Sequence, residues 1–263
     1  MIGIFAGSGD LPKEIINSLK KKKKSYIILN LSKKKITNSI NIKLGEFGKI
    51  LKVLKKNNIK EVIFAGKVDR PNLNNTRFDL KGLYYLPELI KVFKQGDGNI
   101  LKFAEKILLK NGIKVISSHK YCKNLLVNKT LTKFKPSLID INDYKKGSKI
   151  LHALSKFDNA QGIIVDNGYV LSIEAAEGTD NMIKRVKNIY KKKNNKTSGV
   201  LIKLPKSKHS LKYDLPTIGY NTVKLCISSK IKGIFLKKNQ NIFLNQKKTI
   251  SYANKNNFFI SAI

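Results

Sequence analysis

The chain has 263 residues, 41% of them hydrophobic, and its 53 Lys and Arg against 17 Asp and Glu give a formal net charge of +36. That length fits one to two domains with room for a sizeable core, which excludes hormone-sized and disulfide-stapled classes. No apolar run approaches the ~18 residues of a spanning helix, Cys122 and Cys226 fall in no metal-ligand spacing, and the opening residues lack a basic leader, so a cytoplasmic protein without structural zinc is expected.

The first segment, Ile2 to Ala6, is an apolar run that ends in Gly7-Ser8-Gly9-Asp10 and is followed by Ile15, Ile16 and Leu19 at helical spacing. It reads as strand, glycine turn and helix. Glycines let a ligand approach the backbone, and the helix start offers N–H groups to a phosphate. A tight turn with no ligand explains the same residues, because the full dinucleotide fingerprint needs a further glycine.

Tyr26 to Leu29 reads as a second strand, Ile50 to Leu54 as an amphipathic helix, and Glu61 to Ala65 as a third strand ending in Gly66-Lys67-Val68-Asp69-Arg70. Strands alternating with helices imply parallel βαβ units. Both glycine turns then lie at the carboxyl ends of their strands, the edge where open parallel sheets bind ligands. Lys67, Asp69 and Arg70 are either a charged lip of that crevice or a surface turn with a local ion pair.

Leu80 to Lys94 and Ile100 to Lys110 look helical, and Ile113 to Ile116 reads as a strand ending near His119, which is structural or touches a ligand. A linker is placed near residues 130 to 140, giving a Rossmann-like parallel-sheet domain over 1–132 and a mixed α/β catalytic domain over 133–263. The second half opens with a helix around Lys145 to Phe157. Residues Gly162 to Val165 and Tyr169 to Ile173 flank Asn167-Gly168, a hairpin signal. A helix follows, capped by Thr179 or Asp180; Val200 to Leu204 is a strand, Asn221 to Ser228 a helix, and Gly233 to Leu236 with Ile242 to Leu244 a closing pair of strands.

The positive charge is nearly all Lys and comes with much Asn and Ile, residues whose codons are rich in A and T, so codon bias alone accounts for much of it. Runs such as Lys20 to Lys24 read as solvated faces or as a surface attracted to something anionic: nucleic acid, nucleotide phosphates or a lipid leaflet. They lack the interleaved aromatics of a nucleic-acid binder, and no specific nucleic acid is expected. In this background the acids are informative. Asp166, Glu174, Glu177 and Asp180 fall within fifteen residues, and beyond them the only acid is Asp214. Glu174, Glu177 and Asp180 form a candidate Mg²⁺ set shared with phosphate oxygens, although Thr179 and Asp180 also suit simple helix capping. Asp214, stiffened by Leu215-Pro216 and close in sequence to Lys206, Lys208 and Lys212, is kept ionised by those cations and is available as a catalytic base or a metal ligand, or else is a salt-bridged loop acid.

The run Gly168 to Asp180, with Phe64 to Pro71 and Asp214-Leu215-Pro216-Thr217-Ile218-Gly219, resembles the LpxI family, UDP-2,3-diacylglucosamine pyrophosphatases of lipid A biosynthesis. The resemblance spans nearly the whole chain. It implies a Mg²⁺-dependent hydrolase that releases UMP and 2,3-diacylglucosamine 1-phosphate, working as a peripheral protein at the inner membrane, with a homodimer left open. Substrate contacts are expected at Gly7, Ser8, Gly9 and Asp10, at Gly66, Lys67, Asp69 and Arg70, and at Gln161, Ala175, Gly178, Thr179 and Lys203. The family pattern Lys-Pro-x-Gln-Asp-x-Arg-x-Asp ahead of Leu-Pro-Thr-Ile-Gly is altered here: Ser207, His209, Ser210 and Lys212 replace Pro, Gln, Asp and Arg, whereas Lys206 and Asp214 are kept. That change keeps a sugar-nucleotide-binding protein without turnover as the alternative, beside a nucleic-acid-binding protein suggested by the charge.

Overall fold

A computed structural model describes residues 1–70, 72–192, 197–206, 212 and 215–263. The chain forms two compact units, Met1–Lys123 and Asn124–Ile263.

In the first unit the order is β1 (Ile2–Ala6), α1 (Leu11–Lys21), β2 (Tyr26–Asn30), β3 (Ser39–Asn41), α2 (Phe47–Lys56), β4 (Glu61–Ala65), α3 (Leu80–Phe93), α4 (Asp97–Lys110) and β5 (Lys114–Val115). The five strands make one parallel sheet in the order β3-β2-β1-β4-β5. Apolar side chains close both faces: Ile4, Ile28, Leu29, Val62 and Ile63 are buried in the strands, with Ile15 and Leu19 of α1 and Leu51 and Leu54 of α2. Near-continuous apolar strands are what a parallel sheet covered on both faces requires. β3 was not read from the sequence; Ser39 and Ile40 are half-buried, Asn41 is exposed, and the three show no apolar alternation.

The second unit holds α5 (Leu138–Ser155), β6 (Gly162–Asp166), β7 (Tyr169–Ile173), α6 (Thr179–Lys192), β8 (Val200–Lys203), β9 (Thr217–Ile218), α7 (Tyr220–Ser228), β10 (Gly233–Leu236), β11 (Ile242–Phe243), α8 (Gln246–Lys255) and β12 (Phe259–Ala262). Its sheet runs β12-β10-β8-β6-β7, with β12, β10 and β8 parallel and β6 and β7 antiparallel to their neighbours. Alternate strand residues face opposite layers. Ile163, Val165, Val200, Ile202, Phe235 and Phe259 pack with Leu151 of α5. Ile164, Leu201, Ile234 and Ile260 meet Met182 and Ile183 of α6, Val223 and Cys226 of α7, and Ala253 of α8. The Asn167-Gly168 hairpin forms with both residues at positive φ, 49° and 79°, the geometry that matches strand twist.

Three local expectations are corrected. The helix expected around Lys145 to Phe157 begins earlier, at Leu138, and takes in the polar stretch from Asp140 to Gly147 as part of α5, started by a capping box in which Ser137 and Asp140 bond each other's backbone. Just before it, Leu126 bridges Ile242 and Leu131 N–H donates to Ile260 O, so this segment is stitched to the second unit. β10 and β11 are not a closing pair: β10 lies between β8 and β12, and β11 pairs with β9. Two apolar runs close in sequence look like neighbours when the crossover that separates them is short.

In the first unit the strand order reverses between β1 and β4, and the chain turns after these strands are tied together. Ser8 N–H donates to Lys67 O at 2.7 Å, Lys67 N–H returns a bond to Ser8 O at 2.9 Å, and the Ser8 hydroxyl donates to Lys67 O at 3.0 Å. Gly66 sits at φ +84°, where a Cβ would fall 2.5 Å from Ser8 O. Replacing it combines a left-handed penalty with a backbone clash. Gly66→Ala is expected to cost about 3 kcal/mol of stability, read as a lowered urea midpoint; an unchanged midpoint would show that the two turns are not held this tightly.

Candidate functional site

The candidate site residues gather at two strand edges, one in each unit. At the first, the reversal between β1 and β4 is the place where doubly wound sheets open a ligand crevice, and Gly7 to Asp10 and Gly66 to Arg70 stand on its two sides. Gly7 itself is buried, with a Cβ that would lie 2.4 Å from Lys67 O. Because Ser8 and Lys67 use their N–H groups on each other, they do not cradle a phosphate, and the close turn explains two of the glycines. What faces outward is Gly9, with open space where a Cβ would stand, followed by the first turn of α1 with Pro12 in it. Lys67, Asp69 and Arg70 are exposed beside it. His119 follows β5, half-buried, its Nδ1 without a hydrogen-bond partner. Burial first, and Lys123 second, lower its pKa, which keeps the ring neutral at pH 7.

The second edge is the carboxyl end of β8. Lys203, its last residue, is only 4% exposed. Its ammonium lies 3.1 Å from Glu174 Oε2 and 2.5 Å from the Thr179 hydroxyl, which in turn donates to Glu174 Oε1 at 2.7 Å. Glu174 follows directly on β7 and is held by its own N–H on Gly162 O at 2.9 Å. Its carboxylate lies over Gly162, where a Cβ would meet Oε2 at 2.7 Å. Gln161 O accepts Leu204 N–H at 2.9 Å and continues the same edge. Thus Gln161, Glu174, Thr179 and Lys203 are brought together.

Thr179 does not cap α6. The helix is entered through Gly178, at φ +79°, whose carbonyl accepts Met182 N–H, and the Thr179 hydroxyl is turned onto Glu174. Ala175 is exposed in the turn between them. Glu177 is held elsewhere: Arg185 Nη2 lies 2.5 Å from its Oε1 and 2.9 Å from Ile173 O. Its own main-chain N–H has the largest effect and holds its carboxyl below the usual range; desolvation opposes this, and the Arg185 guanidinium adds to the lowering. Asp180 receives the Thr222 hydroxyl at 3.4 Å. Each carboxylate of the expected metal set has a different partner, and among the described residues no three His, Cys, Asp or Glu gather as a metal site. As placed, Glu174, Glu177 and Asp180 do not fit a shared cation. Asp166, grouped with them in sequence, serves the hairpin by accepting from Ser198 and Asn167.

Asp214, Lys208 and the altered residues Ser207, His209 and Ser210 lie outside the described residues. Lys206 is bound to Asp158 through O at 2.9 Å and Oδ1 at 3.1 Å, largely buried. Asp158 was not singled out in sequence; its positive φ of 56° places a short polar residue where Asp is tolerated. Asn241 was missed as well. Fully buried, it donates to Lys203 O at 3.1 Å and accepts Lys237 N–H at 2.8 Å, fixing the end of β8 to the turn after β10. No local pattern marks such a residue.

The family model for the LpxI N-terminal domain matches residues 1–125, and that for the LpxI C-terminal domain matches residues 127–261. A curated relative, the UDP-2,3-diacylglucosamine pyrophosphatase LpxI of Caulobacter vibrioides, is 28% identical over 271 aligned positions that cover 100% of this chain and 97% of that protein.

The buried pair yields a measurable coupling. Lys203→Met is expected to cost about 3 kcal/mol, because it strands Glu174. Adding Glu174→Gln should cost less than the separate losses sum to, by more than about 1 kcal/mol. Additive losses in a double-mutant cycle by urea unfolding would mean that the two side chains act independently.

Proposed function

Because this chain belongs to the LpxI family, we propose that it hydrolyses the pyrophosphate of UDP-2,3-diacylglucosamine to UMP and 2,3-diacylglucosamine 1-phosphate in lipid A biosynthesis. The observation that carries this reading is the end-to-end match with a relative named for that activity. One water is consumed and one P–O–P bond breaks, so the work required is to hold a multiply charged diphosphate and aim a water in line with one phosphorus.

The residues suit that work. The Lys203 ammonium and the Thr179 hydroxyl stand at the first turn of α6, where main-chain N–H groups favour an anion. Glu174 fixes both by accepting from them. Gly9, Asp10 and the start of α1 offer a second anion-favouring turn, with Lys67 and Arg70 beside it for phosphate or nucleotide. Asp214 is the residue proposed to orient the water. Mg²⁺ dependence is retained as part of the proposal, and the ion would neutralise charge on the diphosphate. With Glu174, Glu177 and Asp180 separately engaged, it is expected to arrive with substrate oxygens rather than rest in a protein cage. The acyl chains of the substrate place the encounter at the inner membrane, with the protein peripheral to it; no described helix is long and apolar enough to cross a bilayer.

Incubating purified protein with UDP-2,3-diacylglucosamine should release UMP, and a chelator should stop the release until Mg²⁺ is restored. Asp214→Asn should slow turnover by about a thousandfold while substrate still binds. Binding without UMP at any protein concentration would replace the enzyme with a sugar-nucleotide-binding protein. Near-normal turnover of the variant would move the water-orienting role to another group.

A further inference from the structure

Helix α3 of the first unit is anchored by one side only. Tyr85 packs its ring 5.7 Å from Phe47 of α2 and 6.2 Å from Phe103 of α4, and Gly82 and Leu89 are buried on the same side. The other side carries Leu80, Leu83, Tyr84 and Ile90, which are 87%, 53%, 78% and 41% exposed. Leu83, Tyr84 and Ile90 lie three, four and ten residues after Leu80, which keeps the four within about 120° of arc on one flank of a 3.6-residue helix. Turned mostly to water, these four large apolar side chains add little to this unit's core, the Tyr84 ring meeting Tyr85 edge-on at 5.0 Å, and a cluster of exposed apolar groups of that kind marks an interaction face.

The charge around it narrows the partner. Lys81, Lys91 and Lys94 are exposed on and just after the helix, and Lys102 and Lys110 are exposed on the neighbouring α4. The one acid within α3, Glu88, is paired with Lys106 at 2.7 Å. Apolar side chains flanked by lysines, with the single acid neutralised, make the composition of a helix that lies in a bilayer interface: the apolar side enters the acyl boundary while lysine stems reach back to anionic headgroups. A nucleic acid would use the lysines and leave Leu80, Leu83 and Ile90 without a role.

We propose that the exposed flank of α3 docks on an anionic membrane surface, lying parallel to it, and brings the enzyme to a substrate that resides in the leaflet. The inference deepens the proposed activity on a diacyl lipid and rests on it for its biological purpose, although docking itself is measurable without turnover.

The test is flotation of the full chain with vesicles of phosphatidylcholine alone and of phosphatidylcholine with phosphatidylglycerol, at low and high salt. A protein this basic binds anionic vesicles through charge alone, so the informative variant is Leu80→Ser with Tyr84→Ser, which changes no charge and alters only exposed side chains. The wild type should float with the mixed vesicles and keep a bound fraction in high salt. The variant should partition about ten-fold less, with an unchanged thermal midpoint and unchanged UMP release from detergent-dispersed substrate. Equal flotation of both proteins in high salt, or no flotation of the wild type, overturns the proposal. So does a wild-type dimer in light scattering that the variant converts to monomer, which would assign the flank to a second copy of this chain. If neither protein releases UMP yet the wild type alone floats in high salt, the docking face stands and the assigned reaction falls.

Discussion

The second unit is organised around a lysine that has been taken out of water. Lys203 ends the central strand β8, and its ammonium joins the end of β7 through Glu174 and the start of α6 through Thr179. Desolvating an ammonium and a carboxylate costs several kcal/mol per ion unless geometry and further hydrogen bonds recover it. Here recovery comes from a closed triangle of three side chains, together with Gly162 beneath the carboxylate and Asn241 on the Lys203 carbonyl. Such a triangle adds little net stability over an apolar replacement. What it supplies is placement, a positive charge and a hydroxyl held at a helix start with little freedom to reorganise, which is what electrostatic stabilisation of a diphosphate asks of a site.

The first unit solves a related problem with backbone instead of side chains. At the edge where the strand order reverses, two chain segments must pass within hydrogen-bonding distance. Gly7 and Gly66 allow it, because any side chain would strike the opposite carbonyl. The mutual bonds of Ser8 and Lys67 then fix the floor of this edge, and Gly9, Asp10 and the first turn of α1 are what it leaves facing outward.

Much of this architecture was legible because its causes are local. Apolar runs ending in glycine gave β1 and β4, and Asn167-Gly168 gave the β6–β7 hairpin. The capping box at Ser137 and Asp140 was equally local, and it was overlooked because apolar periodicity, taken as the only guide, puts the helix start near Lys145. The candidate site was legible in part. The segment from Glu174 to Asp180 stood out as acids beside a glycine turn, but its division among Lys203, Arg185 and Thr222 depends on where β8, α6 and α7 pass, and neither spacing nor propensity encodes that. Asp158 and Asn241 were invisible for the same reason: each is defined by a partner far along the chain.

The lysine background also changes what scarcity means. With 53 cationic residues against 17 acids, any acid readily finds a cation, and Glu46, Glu61, Glu88, Asp140, Asp158, Glu174 and Glu177 all do. A surviving acid therefore marks a place where the fold needs an anion, which is a structural need at Asp140 and Asp158 as much as a chemical one at Glu174. The more telling exception is the opposite kind. Lysines are abundant on the surface, where codon bias places them at little cost, and a lysine nine-tenths buried cannot be explained that way. Lys203 is such a residue, so it, rather than any of the scarce carboxylates, distinguishes the site from the rest of a uniformly basic protein.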